Sequence, residues 1–140
     1  MSDAPKSDVH SELVSTWEEK SANGLSLVEH IRLLERGILS VERRASQTLS
    51  RVTLLVILDR VLQQSKNKFP ILSQVSIEPS SLHFEIDSNL DVQKHGQLIE
   101  ALRFLLIELL NVLGRITSDI LTIPLHVELL KVTWNEPEKK

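Results

Sequence analysis

The chain has no cysteine and no tyrosine among its 140 residues, only four glycines, and an aromatic share of 4%. Without cysteine there are no disulfides, no thiolate metal sites and no cysteine nucleophile. A reducing, cytoplasmic setting is compatible with this and is the expected localisation. The glycines stand at Gly24, Gly37, Gly96 and Gly114, no two of them close. Phosphate-cradling loops need clustered glycines so that backbone N–H groups can crowd an anion, so Rossmann and P-loop readings are excluded. Few rings also means no stacking platform for bases and few aromatic interface anchors.

Positive charge is in deficit overall. Sixteen Lys and Arg against nineteen Asp and Glu leave a formal charge of −3, which argues against whole-molecule attraction to nucleic acid or to an anionic membrane. Long uninterrupted apolar runs are missing too. The stretch from Leu98 to Leu113 contains Glu100, Arg103, Glu108 and Asn111, and each charge at a bilayer centre costs about 3 kcal/mol. The run TLLVIL, Thr53 to Leu58, is far shorter than the roughly 20 residues of a span. No membrane span is expected. The opening MSDAPKSDVHSE is polar and acidic, unlike a signal or transit peptide.

What is present is branched aliphatic side chain within a 41% hydrophobic composition. One domain of this length buries roughly two thirds of its unfolded surface. The patterning predicts a mainly α protein, a helical bundle with two long antiparallel helices and an inserted β-hairpin at about 74–87. The domain is expected over 9–134, between flexible tails at 1–8 and 135–140.

Between Val9 and Lys20 a weakly amphipathic helix puts Leu13 and Trp17 on one face, with Asn23-Gly24 as a left-handed stop. Ser26-Leu27-Val28-Glu29 is a capping box. From there Ile31, Leu34, Ile38, Val41, Ala45, Thr48, Val52 and Leu55 step by three and four, a heptad stripe that continues to Asp59 and Leu62. Gly37 interrupts it, either as a break with Ser40 capping the next helix or inside one helix of about 40 residues and 60 Å. The unbroken heptad phase favours the single, bent helix. Asp59 in that seam is unfavourable unless paired.

Val75 and Ile77, then Leu82, Phe84 and Ile86, alternate with polar neighbours about Glu78-Pro79-Ser80-Ser81, a hairpin signature that must lie on the helices. Asp91 opens the second helical region. There Leu98, Leu102, Leu105, Leu109, Val112 and Ile116 form one stripe, and Ile99, Leu106, Leu110, Leu113 and Ile120 a second beside it. Two adjacent stripes mean contact with several neighbours. Pro124 predicts a kink or restart, followed by a short helix or a third strand over 125–134, with the helix favoured.

The five histidines, His10, His30, His83, His95 and His126, lack metal-motif spacing; the nearest pairing is His126 with Glu128. No G-x-S-x-G elbow is present. No cofactor, no metal and no catalytic set are therefore expected. The feature that remains is electrostatic. Between residues 32 and 68 eight cations, among them Arg36, Arg43, Arg44 and Arg51, face only Glu35, Glu42 and Asp59. In heptad terms Glu35 and Glu42 share position e, and Arg44 and Arg51 share g, the places that decorate helix partnerships; local pairs such as Arg32–Glu35 on a solvated face are the plainer account.

The expected function is that of a non-enzymatic cytosolic interaction or regulatory module, which dimerises or docks a helical protein partner through an apolar seam, with Arg36, Arg43, Arg44 and Arg51 as interaction residues. The alternative is a sensor or carrier with an apolar small ligand inside the bundle.

Overall fold

The six aliphatic side chains Ala101, Leu102, Leu105, Leu106, Leu109 and Leu110 are all buried, on a helix α4 (Val92–Ile116) that touches every other helix among the described residues. The computed structural model describes residues 6–77, 82–84 and 92–133. Within these the order is α1 (Lys6–Ser21), α2 (Leu27–Ser46), α3 (Arg51–Lys68), a 3-10 turn (Pro70–Gln74), β1 (Val75–Ile77), β2 (Leu82–Phe84), α4 and α5 (Thr122–Leu130). The architecture is a mainly helical bundle. Its two buried stripes give α4 its place at the centre: Leu98, Leu102, Leu105 and Leu109 on one, Ile99, Leu106, Leu110 and Leu113 on the other. No helix of the described residues is long and apolar enough to cross a membrane.

The capping box forms as the sequence predicts. Ser26 Oγ accepts from Glu29 N at 3.2 Å, and Ser26 N donates to Glu29 Oε1 at 3.0 Å. The single helix expected across residues 27–66 does not form. The break lies at Gln47–Ser50 and not at Gly37. Ser46 Oγ donates back to Arg43 O, and Ser50 Oγ accepts from Thr53 N at 3.1 Å, so one serine eases the end of α2 and another caps α3. The restart resets the helical phase. Ile31, Leu34, Ile38, Val41 and Ala45 are buried as the stripe requires, but Val52 is 71% exposed. On α3 the buried row is Leu54, Ile57, Leu58, Val61, Leu62 and Ser65. The same shift moves Asp59 out of the seam into solvent.

β1 pairs antiparallel with β2, Val75 opposite Phe84 and Ile77 opposite Leu82. The rest of the predicted hairpin, and the tail at 135–140, lie outside the described residues. Glu42 of α2 accepts from Leu82 N at 3.2 Å and is itself buried, not a surface heptad charge.

α1 begins at Lys6, inside the expected N-terminal tail, and stops before Gly24 at φ +83°. The end of α4 also differs from expectation. Its helix closes at Ile116, and a turn with Ser118 and Asp119 at φ 52° and 67° precedes α5, ahead of Pro124. Pro124 then sits in the first turn of α5, where a missing N–H costs nothing. Ile116, at the last position of α4, and Ile120, in the turn, are left in solvent, 53% and 74% exposed.

Gly37 is neither a cap nor a hinge. It lies mid-helix against α1 and α5, and a Cβ built there comes 2.8 Å from Trp17 Cη2 and 2.9 Å from Leu129 Cδ1. Trp17 cannot swing aside freely, because its indole N–H donates to Val132 O at 2.9 Å. Gly37→Ala is therefore expected to destabilise the fold by about 1–2 kcal/mol, overpacking outweighing the helix-propensity gain. Urea unfolding checks this; a variant as stable as the parent or more so contradicts the close packing.

Candidate interaction surface

Arg36 and Arg43 stand seven residues apart on α2, which places them on one face of it. They meet the end of α5 there. Arg36, Arg43 and Lys131 line one open cleft of about 370 Å³, together with Leu39, Ser40 and Thr133. Two arginines of the expected set are thus brought together, with a lysine that sequence reasoning missed. The other two go elsewhere. Arg44 donates forward to Thr48 Oγ1 at 3.5 Å, and Arg51 is exposed in the first turn of α3. The shared g row of Arg44 and Arg51 is lost with the single helix. Arg32 pairs locally with Glu35 through two 3.1 Å contacts, as the spacing suggested. Lys131 lies 3.8 Å from Glu128, a surface contact of small energetic weight.

A separate surface feature is apolar. Of the large hydrophobics exposed among the described residues, Ile116 ends α4, Ile120 lies in the turn that follows, and Ile123, Val127 and Leu130 belong to α5. On α5 the spacing of Ile123, Val127 and Leu130 keeps them on one face, opposite the buried Leu125 and Leu129 that anchor the helix to the core. The row ends at Leu130, and the next residue is Lys131 of the cleft.

α1 holds this assembly in place with polar braces that the sequence did not announce. Glu18 is 5% exposed, and both its oxygens are taken by Arg103, at 2.7 Å from Nε and 2.9 Å from Nη2. His30 Nε2 lies 2.5 Å from Oε2 of the same carboxylate. Burial opposes ionisation of Glu18, but the hydrogen bonds from His30 and Arg103, with their charge, hold its carboxyl below the usual range. Arg103 interrupts an otherwise greasy run for this reason: it carries charge from α4 to α1. A half-open cleft of about 420 Å³ borders the brace. Through these contacts Glu18 tethers α1 to His30 of α2 and to Arg103 of α4.

The second brace joins α1 to α5. His10 Nδ1 and His126 Nε2 are 2.9 Å apart, one ring edge-on to the other, so one nitrogen donates and its partner accepts. His126, whose nearest partner by spacing was Glu128, pairs across the fold with His10. Burial lowers the pKa of both rings; the neighbouring His10 adds to the effect on His126, and Asp119 works against it on His10. His95 is buried at the start of α4. The signal for α1 was present but ambiguous: His10, Val14, Trp17 and Glu18 share one helical face, and all four are buried. Among the described residues no three His, Cys, Asp or Glu side chains converge as a metal site.

No protein-family model matches the chain, and neither a curated protein nor a solved structure matches it.

The two braces predict how α1 docking depends on pH. A histidine whose pKa is lowered by folding binds its proton less readily in the folded state, so its contribution is intact above the ordinary value of about 6.5 and is lost as pH falls below it. Glu18 follows the same sign at lower pH: its contribution is intact above the ordinary glutamate value of about 4.5 and is lost below. The protection factors of the α1 amides, each exchange rate being referred to that of an unstructured peptide at the same pH, should therefore fall in two stages from pH 7 downward, the first removed by replacing His10 and His126 with Asn. A profile flat to pH 5, or one unaltered by the replacements, contradicts the His10–His126 brace.

Proposed function

We propose that this protein is a non-enzymatic interaction module which docks a helical segment on the outward face of α5. The reading rests on one observation above others, the row of Ile123, Val127 and Leu130 left 71%, 47% and 51% exposed on a helix whose opposite face is firmly buried. Isolated surface leucines are ordinary, whereas adjacent aliphatics on one helix face form the kind of patch that a partner covers. Ile116 and Ile120, at the end of α4 and in the turn before α5, are exposed as well. A helix laid along such a row engages it at positions three and four apart. The setting in which the module works is expected to be cytosolic.

The test uses the full chain and a synthetic amphipathic peptide with leucines at heptad spacing. Light scattering at micromolar concentration reports self-association, and anisotropy of the labelled peptide reports docking. The triple variant Ile123→Ser, Val127→Ser, Leu130→Ser should melt within a few degrees of the parent, since each replaced side chain is on the surface, and should lose whichever association the parent shows. A strictly monomeric parent that binds no helical peptide contradicts the proposal, as does a triple variant that associates unchanged.

A further inference from the structure

Independently of that reading, we infer that α1 is an exchangeable arm: swung out about the turn at Asn23–Leu25, it seats on the body of a second copy of this chain, which seats its own α1 in return. The turn has the make-up of a hinge. Residues 22–26 join α1 to α2, and Gly24 at their centre takes φ +83°, a conformation that L side chains rarely adopt. Nothing lies within 4 Å of the place its Cβ would hold, so the backbone there is free to turn. A backbone bond closes the loop, Leu25 N donating to Ala22 O at 3.0 Å. Opening it leaves both flanks intact: Ala22 N still donates to Glu18 O at 2.8 Å, and the Ser26–Glu29 capping box still starts α2. Extended, five residues span about 17 Å, enough to pass the arm between two closely set bodies.

The seat is specific for this arm. Trp17 lies over Gly37 and Leu129, its indole N–H reaches Val132 O, Glu18 is held by Arg103 and His30, and His10 meets His126. Each of these contacts joins α1 to another element. An arm from a second copy therefore makes all of them in trans, and the exchanged pair buries at its seats what two closed chains bury, which is why exchange of an identical element is a low-cost route to a dimer. At the brace, Glu18 of one copy meets Arg103 of the other, so no like charges are brought together there. The arm is also lightly held by apolar contact. Of its aliphatic and aromatic side chains Val14 and Trp17 are fully buried, Leu13 is half-buried and Val9 is exposed, while the other buried groups on that face are the polar His10 and Glu18. Polar contacts of this kind have water as an alternative partner, so a helix that depends on them opens more readily than one enclosed by leucines.

The experiment uses two full-length chains, one with Glu18→Arg and one with Arg103→Glu, both in the background of the serine triple variant so that docking on α5 does not contribute. Alone, each chain sets like charges at the brace, whether closed or exchanged with itself. Mixed at millimolar concentration and left to equilibrate, the two should form a heterodimer, because each arm then meets the opposite charge on the other chain's seat. Native mass spectrometry after dilution counts the species, and the heterodimer should exceed either homodimer by roughly tenfold or more. Exchange is slow and survives dilution, since α1 must leave one seat before it takes another; docking on α5 reverses on dilution. A mixture with no more heterodimer than either chain alone gives as homodimer overturns the inference. Should a reversal fail to fold, the hinge decides the point in the otherwise unaltered serine background. Gly24→Ala strains the closed turn and meets no neighbour, so its share of dimer after the same incubation should rise roughly tenfold, while Gly24→Asn, which accepts a positive φ, should stay within about threefold. Equal shares with Gly and Ala at this position, or monomer in both, overturn the inference. The two readings fail separately. Reversible docking on α5 without a heterodimer upholds the first and overturns exchange; a heterodimer in the serine background, with a freshly diluted parent that is monomeric and binds no helical peptide, does the reverse.

Discussion

The structure depends on the burial of one helix from several sides at once. α4 lies against α1, α2, α3, α5 and the 3-10 turn, and its leucines supply the common surface on which those elements pack. An aliphatic helix with wide apolar coverage has no stable exposure to water, and burying each large side chain contributes about 1.5–3 kcal/mol. Once α4 is enclosed, the remaining elements have little choice of position. The polar groups then refine what the apolar contacts permit: Arg103 leaves the central helix to meet Glu18, and Glu42 leaves α2 to meet the backbone of β2.

That arrangement has a weak side, and it is α1. Only Val14 and Trp17 among its large apolar residues are fully buried, so its attachment relies on the indole bond to Val132, the Glu18 brace and the histidine pair. α5 has the opposite character. Leu125 and Leu129 hold it on the core beside the glycine of α2, while its outer face offers aliphatics to whatever comes next. A short helix fixed firmly on one face and left apolar on the other is suited to recognition, because little ordering entropy remains to be lost when a partner arrives.

Much of this was legible in the residues. The capping box at Ser26, the two stripes of α4, the heptad places from Ile31 to Ala45 and the burial of Trp17 follow from local spacing alone. The errors have one origin. Heptad phase was extended across Gln47–Ser50 and across Ile116–Ile120, where serine capping in one case and a left-handed pair of residues in the other resets the helix. Gly37 shows the converse, since the helix runs through it as the heptad phase favoured, and the glycine is the place where an indole needs room. As for the surface, the basic character of α2 was visible, but grouping by heptad letter chose Arg44 and Arg51 as partners. Lys131 joins Arg36 and Arg43 only through tertiary packing, as do Glu18 with Arg103 and His10 with His126, separated by 85 and 116 residues. No spacing rule reaches so far.

Native-state hydrogen exchange tests the central place of α4 most directly. If the fold hangs on its enclosure, the amides of Leu102 through Leu110 should exchange only through global unfolding, with the free energy that denaturant unfolding gives for the whole chain, while those of α1 open at lower cost. Exchange of those α4 amides by a cheaper local opening, with α2 and α3 still protected, would show that the bundle stands without its centre and would contradict the account.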